Sequence, residues 1–450
     1  MTVAPKGNLV VGQSGGPTQV INQSLVGVIE EALKHTTFEG ILGAVNGIAG
    51  ILMKNFVDLR RESHDTLQSV AATPGAALGS CRFKPKDADC EKVFEIFREL
   101  NVHYFFYIGG NDSALAAATL NKIARERKYE LRIFHVPKTI DNDLLVTDHC
   151  PGYGSAAKYV ASTIVGNDMD NRALPGVKID ICMGRSAGWL TASAACARNG
   201  DSDAPHLIYL PERRKKLTEI LEDIFAVYDT YGRCSVAISE GVVGPDGFEM
   251  IASPAIAEEL KSLGMEAIID SISIQGKVEE AAGGTSHDAF GHPQLSGSGA
   301  LGDFFADALK IYWYRKTKKR LRVRADTLGY AQRSFAGCVS KVDAEEARIV
   351  GREAVKYSIQ GDIDGSIALR RIGDGENYLS EPFLAKLEEV AGLGKPKNEQ
   401  FRPVPPEFIN DKGNGMTQAF VDYALPLLGG IPQKGVLKSV PVRSNSLSKH

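Results

Sequence analysis

Short apolar runs that stop at glycine and give way to helical periods recur along this chain, and nothing else restricts its fold so severely. Leu9-Val10-Val11 stops at Gly12, and a helical period follows over residues 19–33. Residues 102–108 stop at Gly109-Gly110 before an Ala-rich helix from Ser113 to about Arg127, and residues 131–136 make a third run. Later come 177–183 with a helix over 188–197, 206–210 with a charged helix, and 234–239. Strands alternating with helices, with polar loops at the strand ends, predict a doubly wound parallel sheet. The pattern pauses near Pro151-Gly152-Tyr153-Gly154 and resumes. The expected fold is therefore α/β, with two doubly wound, Rossmann-like lobes of mostly parallel sheet and an active site in the cleft between them. The lobes are expected at 1–152 and 153–335, with 336–450 packing back on them. That last segment holds a helical run over 344–359, a Gly/Asp-rich loop around 361–375, a Pro-rich stretch near Pro403-Pro405-Pro406, and a frayed tail from about residue 441. A length of 450 residues exceeds one ordinary core and agrees with this division.

The loop after the third run, Pro137-Lys138-Thr139-Ile140-Asp141-Asn142-Asp143, gathers an ammonium, a hydroxyl and two carboxylates. Asp and Asn after a strand commonly cap a helix or make a turn, which accounts for one acid and leaves Lys138 unexplained. Phosphoryl transfer needs a base for the attacking hydroxyl and cations for the transferred group, and this loop offers both. Gln13-Ser14-Gly15-Gly16-Pro17-Thr18 and Gly109-Gly110-Asn111-Asp112-Ser113 each join a strand to a helix. Glycine lets the backbone approach a phosphate there, and the helix N-terminus favours negative charge. The same loops also read as plain tight connections, with Asp112 as a helix N-cap. Neither is a Walker A sequence. Arg82 and Lys84 follow Gly79-Ser80, Arg185 follows Met183-Gly184, and Arg324 and Arg333 flank Leu328-Gly329-Tyr330. Each alone reads as a solvated arginine or lysine; together, at glycine-flanked strand ends, they suit phosphate recognition. The basic clusters at 213–216 and 316–320 read as exposed helix faces.

A formal net charge of only −3 argues against a general nucleic-acid surface, so positive charge for an anionic ligand must be gathered locally. The seven cysteines form no C-x-x-C pair, which, without a signal peptide, predicts a reduced cytoplasmic chain. No apolar run approaches a membrane span, and the nine histidines show no metal-binding spacing.

Gly-Gly-Asn-Asp-Ser at 109–113, Pro-Lys-Thr-Ile-Asp-Asn-Asp at 137–143, Met-Gly-Arg at 183–185, Pro-Glu at 211–212, Ser-Glu-Gly at 239–241 and Leu-Gly-Tyr-Ala-Gln-Arg at 328–333 follow one another in the order found in phosphofructokinases. With the first glycine loop and the C-terminal region, the chain resembles that family over nearly its whole length, and most resembles its pyrophosphate-dependent branch. The resemblance implies reversible phosphoryl transfer from diphosphate to the 1-hydroxyl of fructose 6-phosphate, with Mg²⁺, in glycolysis.

Residue by residue, the resemblance places Asp141 as the general base, with Thr139 and Ile140 against the substrate and Asp143 helping to order the metal. Gly16 falls where the backbone approaches the donor phosphates, and Arg82 where donor and acceptor are bridged. Met183, Gly184 and Arg185 match the sugar-phosphate loop, Glu240 the carboxylate on the sugar hydroxyls, and Arg324, Tyr330 and Arg333 the positions that hold the 6-phosphate. ATP users of the family generally have glycine where this chain has Asp112 and Lys138. A carboxylate at 112 would repel a nucleotide α-phosphate, and Lys138 would add a point charge to the transferring group. Asn111 stands where a metal carboxylate is usual, Pro17 replaces an acid, and Tyr330 stands where many members have histidine. The family also borrows an arginine from a neighbouring subunit; Arg172 and Lys178 are the candidates here, and either would require a homodimer or homotetramer. Two other readings remain open: an ATP-dependent enzyme, and a sugar-phosphate-binding regulator without catalysis.

Overall fold

The computed structural model describes residues 4–81, 85–272, 299–361, 364–396, 399–435 and 437. Arg82, Lys84, His287, His292 and the tail expected from residue 441 lie outside them.

Two separate sheets form, as the alternating pattern predicts. The first comprises β1 (Gly7–Gln13), β2 (Phe38–Ala44), β3 (Phe56–Asp58), β4 (Val102–Gly109), β5 (Arg132–Pro137), β10 (Asp364–Arg371) and β11 (Ser380–Ala385). Their order is β11-β10-β5-β4-β1-β2-β3, parallel except at the edges, where β3 and β11 run antiparallel to β2 and β10. The second sheet comprises β6 (Val177–Cys182), β7 (Leu207–Tyr209), β8 (Cys234–Ser239) and β9 (Val323–Thr327), in the order β7-β8-β6-β9, all parallel. The chain leaves β1 toward β2 on one side and returns to β4 on the other. The crevice at the C-terminal ends of β1 and β4 is thus a topological switch point, the place where open α/β sheets bind ligands.

The stretch around 361–375 is not a loop: β10 runs through it. Its residues Gly365 to Leu369 are buried, with charged residues on either side, so composition disguised a strand covered on both faces. β10 pairs in parallel with β5, and Ser366 Oγ donates to His135 Nδ1 at 2.8 Å while His135 Nε2 donates to Gly109 O at 2.8 Å. Burial pushes the His135 imidazole down to about 4, so it stays neutral and makes this bridge with one tautomer. The C-terminal segment therefore completes the first sheet and, through His135, fixes the end of β4.

The helix Ile21–Ala32 crosses Lys341–Gln360 almost backbone to backbone. A Cβ on Gly27 would stand 2.3 Å from Arg348 O, and one on Gly351 would stand 2.2 Å from Ser24 O. Gly351→Ala gains up to about 1 kcal/mol of helix propensity. It also forces two helix backbones apart in a packed core, which costs about 1–3 kcal/mol. The clash is with backbone, which cannot rotate away. The variant is expected to unfold at lower urea concentration than the parent; an equal or higher midpoint would disprove this packing.

Candidate active site

The first glycine loop is held from three directions. Ser14 N donates to Ile108 O at 2.9 Å, Gly15 N to Cys81 O at 3.1 Å, and Ser80 Oγ to Gly15 O at 2.6 Å. Lys138, buried at the end of β5, donates from Nζ to Gly16 O at 2.8 Å. Arg333 approaches the same loop from the other lobe: a Cβ on Gly16 would stand 2.7 Å from its Nη1. Any side chain at 16 would displace that guanidinium, which also stacks 4.5 Å over the Tyr330 ring. Two cations thus converge on one piece of glycine backbone.

The chain leaves β5 by a turn fixed through its backbone. Lys138 N donates to Gly109 O at 2.9 Å and Thr139 N to Pro151 O at 3.1 Å, and Thr139 Oγ1 accepts from Asp141 N at 3.1 Å. Asn142 has φ +56°, a left-handed conformation that Asn tolerates better than most residues. Its amide closes the following loop, donating to Tyr423 Oη at 2.9 Å and accepting from Cys150 N at 2.9 Å. Across this twist Asp141 is half-exposed and Asp143 is buried.

Asp143 is buried, and Asn111 Nδ2 donates to its Oδ2 at 3.0 Å. Burial first, and the charge of Asp141 second, push its carboxyl up to about 7. The Arg402 charge and the Asn111 amide offset part of that rise. Asn111 Oδ1 and Asp143 Oδ1 are both buried without a hydrogen-bond partner among the described residues. Two adjacent orphaned oxygens, one amide and one carboxylate, fit a hard divalent cation. Among the described residues no group of three or more His, Cys, Asp or Glu side chains could hold a metal by itself. Such an ion would therefore take most of its oxygens from substrate and water, as Mg²⁺ usually does.

Asp112 lies in the first turn of the helix Asn111–Glu126, whose N-cap is Gly110, so it is not the cap that one reading of the sequence allowed. In the second lobe, Glu240 Oε1 accepts from Gly184 N at 3.4 Å and Ser239 Oγ donates to Gly184 O at 2.5 Å. Gly241 lies so close to this loop that a Cβ would stand 2.0 Å from Arg185 O. Arg185 Nε lies 3.8 Å from Glu249 Oε1. Ile140 and Met183 are buried in one apolar core, so only their main chains are left to face the cleft.

Arg324 is not brought to this site. It pairs in register with Lys178 near the start of β9, whereas Met183 follows the end of β6. At about 3.3 Å per residue that puts it roughly 16 Å down the sheet. There it bonds Asp170 at 2.9 Å. The grouping of Arg324 with Tyr330 and Arg333 on one phosphate is therefore not realised within a single chain. Lys178 is bonded to Asp326 and lies 3.6 Å from Asp180, and Arg172 bonds Asp168 at 3.3 Å and Asp203 at 2.6 Å. Both candidates for reaching a neighbour are thus engaged inside their own chain.

Sequence reasoning missed Gln332, although it lies inside a quoted motif. Its Oε1 accepts from Met183 N at 3.1 Å, and its carbonyl accepts from Gln19 Nε2 at 2.9 Å, so one buried residue ties the Met183-Gly184-Arg185 loop to the start of the helix after β1. The helical period starting at Gln19 was the only signal for its partner. None of the described helices is long and apolar enough to cross a membrane.

The family model described as phosphofructokinase matches residues 8–358. A pyrophosphate–fructose 6-phosphate 1-phosphotransferase from Rhodospirillum rubrum is 42% identical over 444 residues, covering 99% of this chain and 98% of that one. A sulfofructose kinase from Alkalicoccus urumqiensis is 30% identical over 407 residues, covering 90% and 92%. The crystal structure of a pyrophosphate-dependent phosphofructokinase from Marinobacter aquaeolei superposes with a TM-score of 0.74 at 30% identity, covering 97% of this chain and 95% of that one.

The raised Asp143 carboxyl has a sign that stability can report. Its folded value, about 7, lies above the ordinary 3.8, so the folded state binds this proton more tightly than the unfolded chain does. The group's favourable contribution is full at low pH and is lost as pH rises through 7. Asp143→Asn removes that loss. Its urea midpoint is expected to exceed the parent's at pH 8, with the gain shrinking toward pH 5. A midpoint difference independent of pH would show that the buried charge is not what the parent bears.

Proposed function

The chain belongs to the phosphofructokinase family, and from that premise we propose that it is a diphosphate-dependent phosphotransferase acting on fructose 6-phosphate. The 1-hydroxyl of the sugar attacks one phosphorus of diphosphate, orthophosphate leaves, and fructose 1,6-bisphosphate forms. One phosphoanhydride bond is exchanged for a phosphoester without nucleotide, so the reaction runs in both directions.

Asp141 takes the proton of the attacking hydroxyl, a task for which its partly exposed carboxylate at the lobe junction is suited. Lys138 and Arg333 meet at Gly16 and neutralise the transferring group, while Gly16 itself admits the anion to the backbone. Asn111 and Asp143 would hold Mg²⁺, whose charge offsets that of the diphosphate oxygens. Gly184, Arg185 and Glu240 take the sugar and its phosphate, with Tyr330 beside Arg333. Arg82 is assigned by family resemblance to bridging donor and acceptor. Arg324 lies at the far end of β9, where it bonds Asp170 at 2.9 Å; released from that pair it would serve the site of a second copy, which supports a homodimer or homotetramer. A glycolytic, cytoplasmic setting follows from the reaction.

The observation that carries donor choice is the Lys138 ammonium 2.8 Å from Gly16 O. Together with Asp112 in the first turn of the adjoining helix, it favours the charge of a diphosphate at Gly16 and disfavours a nucleotide α-phosphate beside the Asp112 carboxylate.

Aldolase-coupled formation of fructose 1,6-bisphosphate, with Mg²⁺ and either diphosphate or ATP, tests this directly. Turnover with diphosphate alone is expected. Turnover with ATP alone would overturn the roles given to Asp112 and Lys138. The double variant Asp112→Gly, Lys138→Gly is expected to lose diphosphate activity and gain ATP activity. Asp141→Asn is expected to lower kcat by about 10²–10⁴-fold with KM little changed, since a base acts in the transition state. Near-parental kcat in that variant would remove Asp141 from the mechanism.

A further inference from the structure

Phe401–Val404 belongs to neither sheet, yet it touches both halves of the site. Arg402 Nη2 and Nε donate to Asn142 O at 2.9 and 3.2 Å, and Nη1 donates to Asp148 O. Its backbone N donates to Asp143 O at 2.8 Å. The guanidinium lies 4.3 Å over the ring of Trp189, whose Nε1 donates back to Arg402 O at 2.9 Å. Trp189 is buried and follows the Met183-Gly184-Arg185 loop by one short turn. Two residues on, Val404 N donates to Glu212 Oε1 at 2.9 Å, and that same oxygen accepts Gly188 N at 2.9 Å. One strap thus holds the Asp141–Asp148 loop from the first lobe and the Gly188-Trp189 turn from the second.

We propose that Arg402 is a positioning residue for phosphoryl transfer: its guanidinium fixes the loop bearing Asp141 and Asp143 against the Trp189 wall of the sugar-phosphate lobe. The inference rests on the assignment of Asp141 as base. The loop needs such a clamp because β10 holds it only at its Thr147-Asp148 end, where Asp148 N donates to Leu369 O at 2.9 Å and Leu369 N to Thr147 Oγ1 at 3.0 Å, and because it contains two non-glycine residues with positive φ, Asn142 and Val146. Arginine suits the task, since a planar fork can meet carbonyls at both ends of the loop while its face stacks on an indole. Lysine offers one point of charge. Arg402 is placed to touch loop carbonyls and the Trp189 ring, so it acts through Asp141 and not on substrate. Misplacing a catalytic group by about 1 Å can cost about 10²-fold in rate.

The test compares full-length parent, Arg402→Gln and Arg402→Lys by steady-state kinetics and by hydrogen exchange of peptides spanning 139–150, with β1 and β8 peptides as controls. For Arg402→Gln we expect kcat lower by about 100-fold. KM for both substrates should stay within roughly threefold, and exchange of 139–150 should be faster by about tenfold while the controls hold. Arg402→Lys should fall between, with kcat partly restored; if the Gln variant does not fold, the Lys variant is read by the same criteria. Parental kcat, a raised KM at unchanged kcat, or unchanged exchange of 139–150 would overturn the proposal. A parent inactive with every donor would instead sink the proposed function, and the exchange comparison would still decide whether Arg402 orders this loop.

Discussion

Two carboxylates one residue apart, with one of them buried, repel each other, and much of the structure around the cleft exists to tolerate that arrangement. Alternation along an extended segment would point Asp141 and Asp143 the same way. The left-handed turn at Asn142 separates them, leaving Asp141 half-exposed and Asp143 buried. The buried member still sits in a field that favours its proton, as the rise to about 7 records. Asn111 then acquires a reason. A carboxylate there would set a third negative charge about 3 Å from Asp143, whereas the amide donates a hydrogen bond to it. The amide oxygen, like Asp143 Oδ1, is buried without a hydrogen-bond partner among the described residues.

The same loop is anchored at its other end by a buried ionic group. His149 bonds Asp148 through Nδ1 at 2.8 Å and Glu346 through Nε2 at 2.7 Å. Burial works to discharge the imidazole, but Glu346 and Asp148 outweigh it and hold its value up at about 9. Arg371 adds a bond to Asp148 at 3.2 Å, and Tyr378 and Ser380 complete the shell of Glu346 at 2.6 Å each. Glu346, Arg371, Tyr378 and Ser380 all come from the C-terminal third of the chain. That segment does more than cover the lobes: it supplies β10 and β11, the counter-ions of the loop, and the strap at Arg402.

Local chemistry made part of this legible. Apolar runs alternating with helical periods favour a parallel sheet with loops at its C-terminal edge, so β1, β4, β5, β6 and β8 could be read off with their loops. The acids and cations at those ends could be read the same way, because buried charge at a strand end needs a partner or a ligand. β10 could not, since a strand covered on both faces lacks alternation and its ends carry charge. The position of Arg324 escaped for a different reason. Proximity in sequence to Tyr330 and Arg333 suggests one cluster, but Arg324 is the second residue of the five-residue strand β9, so it lies at the start of that strand while Tyr330 and Arg333 follow its end. Arg402 gives no local signal at all. A lone arginine before proline acquires meaning only when the fold brings Asn142, Asp148 and Trp189 around it.

A chain with a net charge of −3 must still receive a ligand with several negative charges, and the cleft shows how. Lys138 and Arg333 approach the Gly15-Gly16 backbone from opposite lobes, where the carbonyl of Gly16 accepts the ammonium. A carbonyl is a weaker partner for an ammonium than a phosphate oxygen, so an arriving anion can replace it over a shift of a few ångströms. Lys138 is already desolvated and half-buried Arg333 is already placed against the same backbone, an arrangement that needs little reorganisation on binding. Gln332 bonds Met183 of the second lobe and Gln19 of the first, so one buried glutamine links the two lobes beside Arg333. Local convergence of charge, fixed by glycine backbone and one buried glutamine, replaces the broad positive surface that the composition rules out.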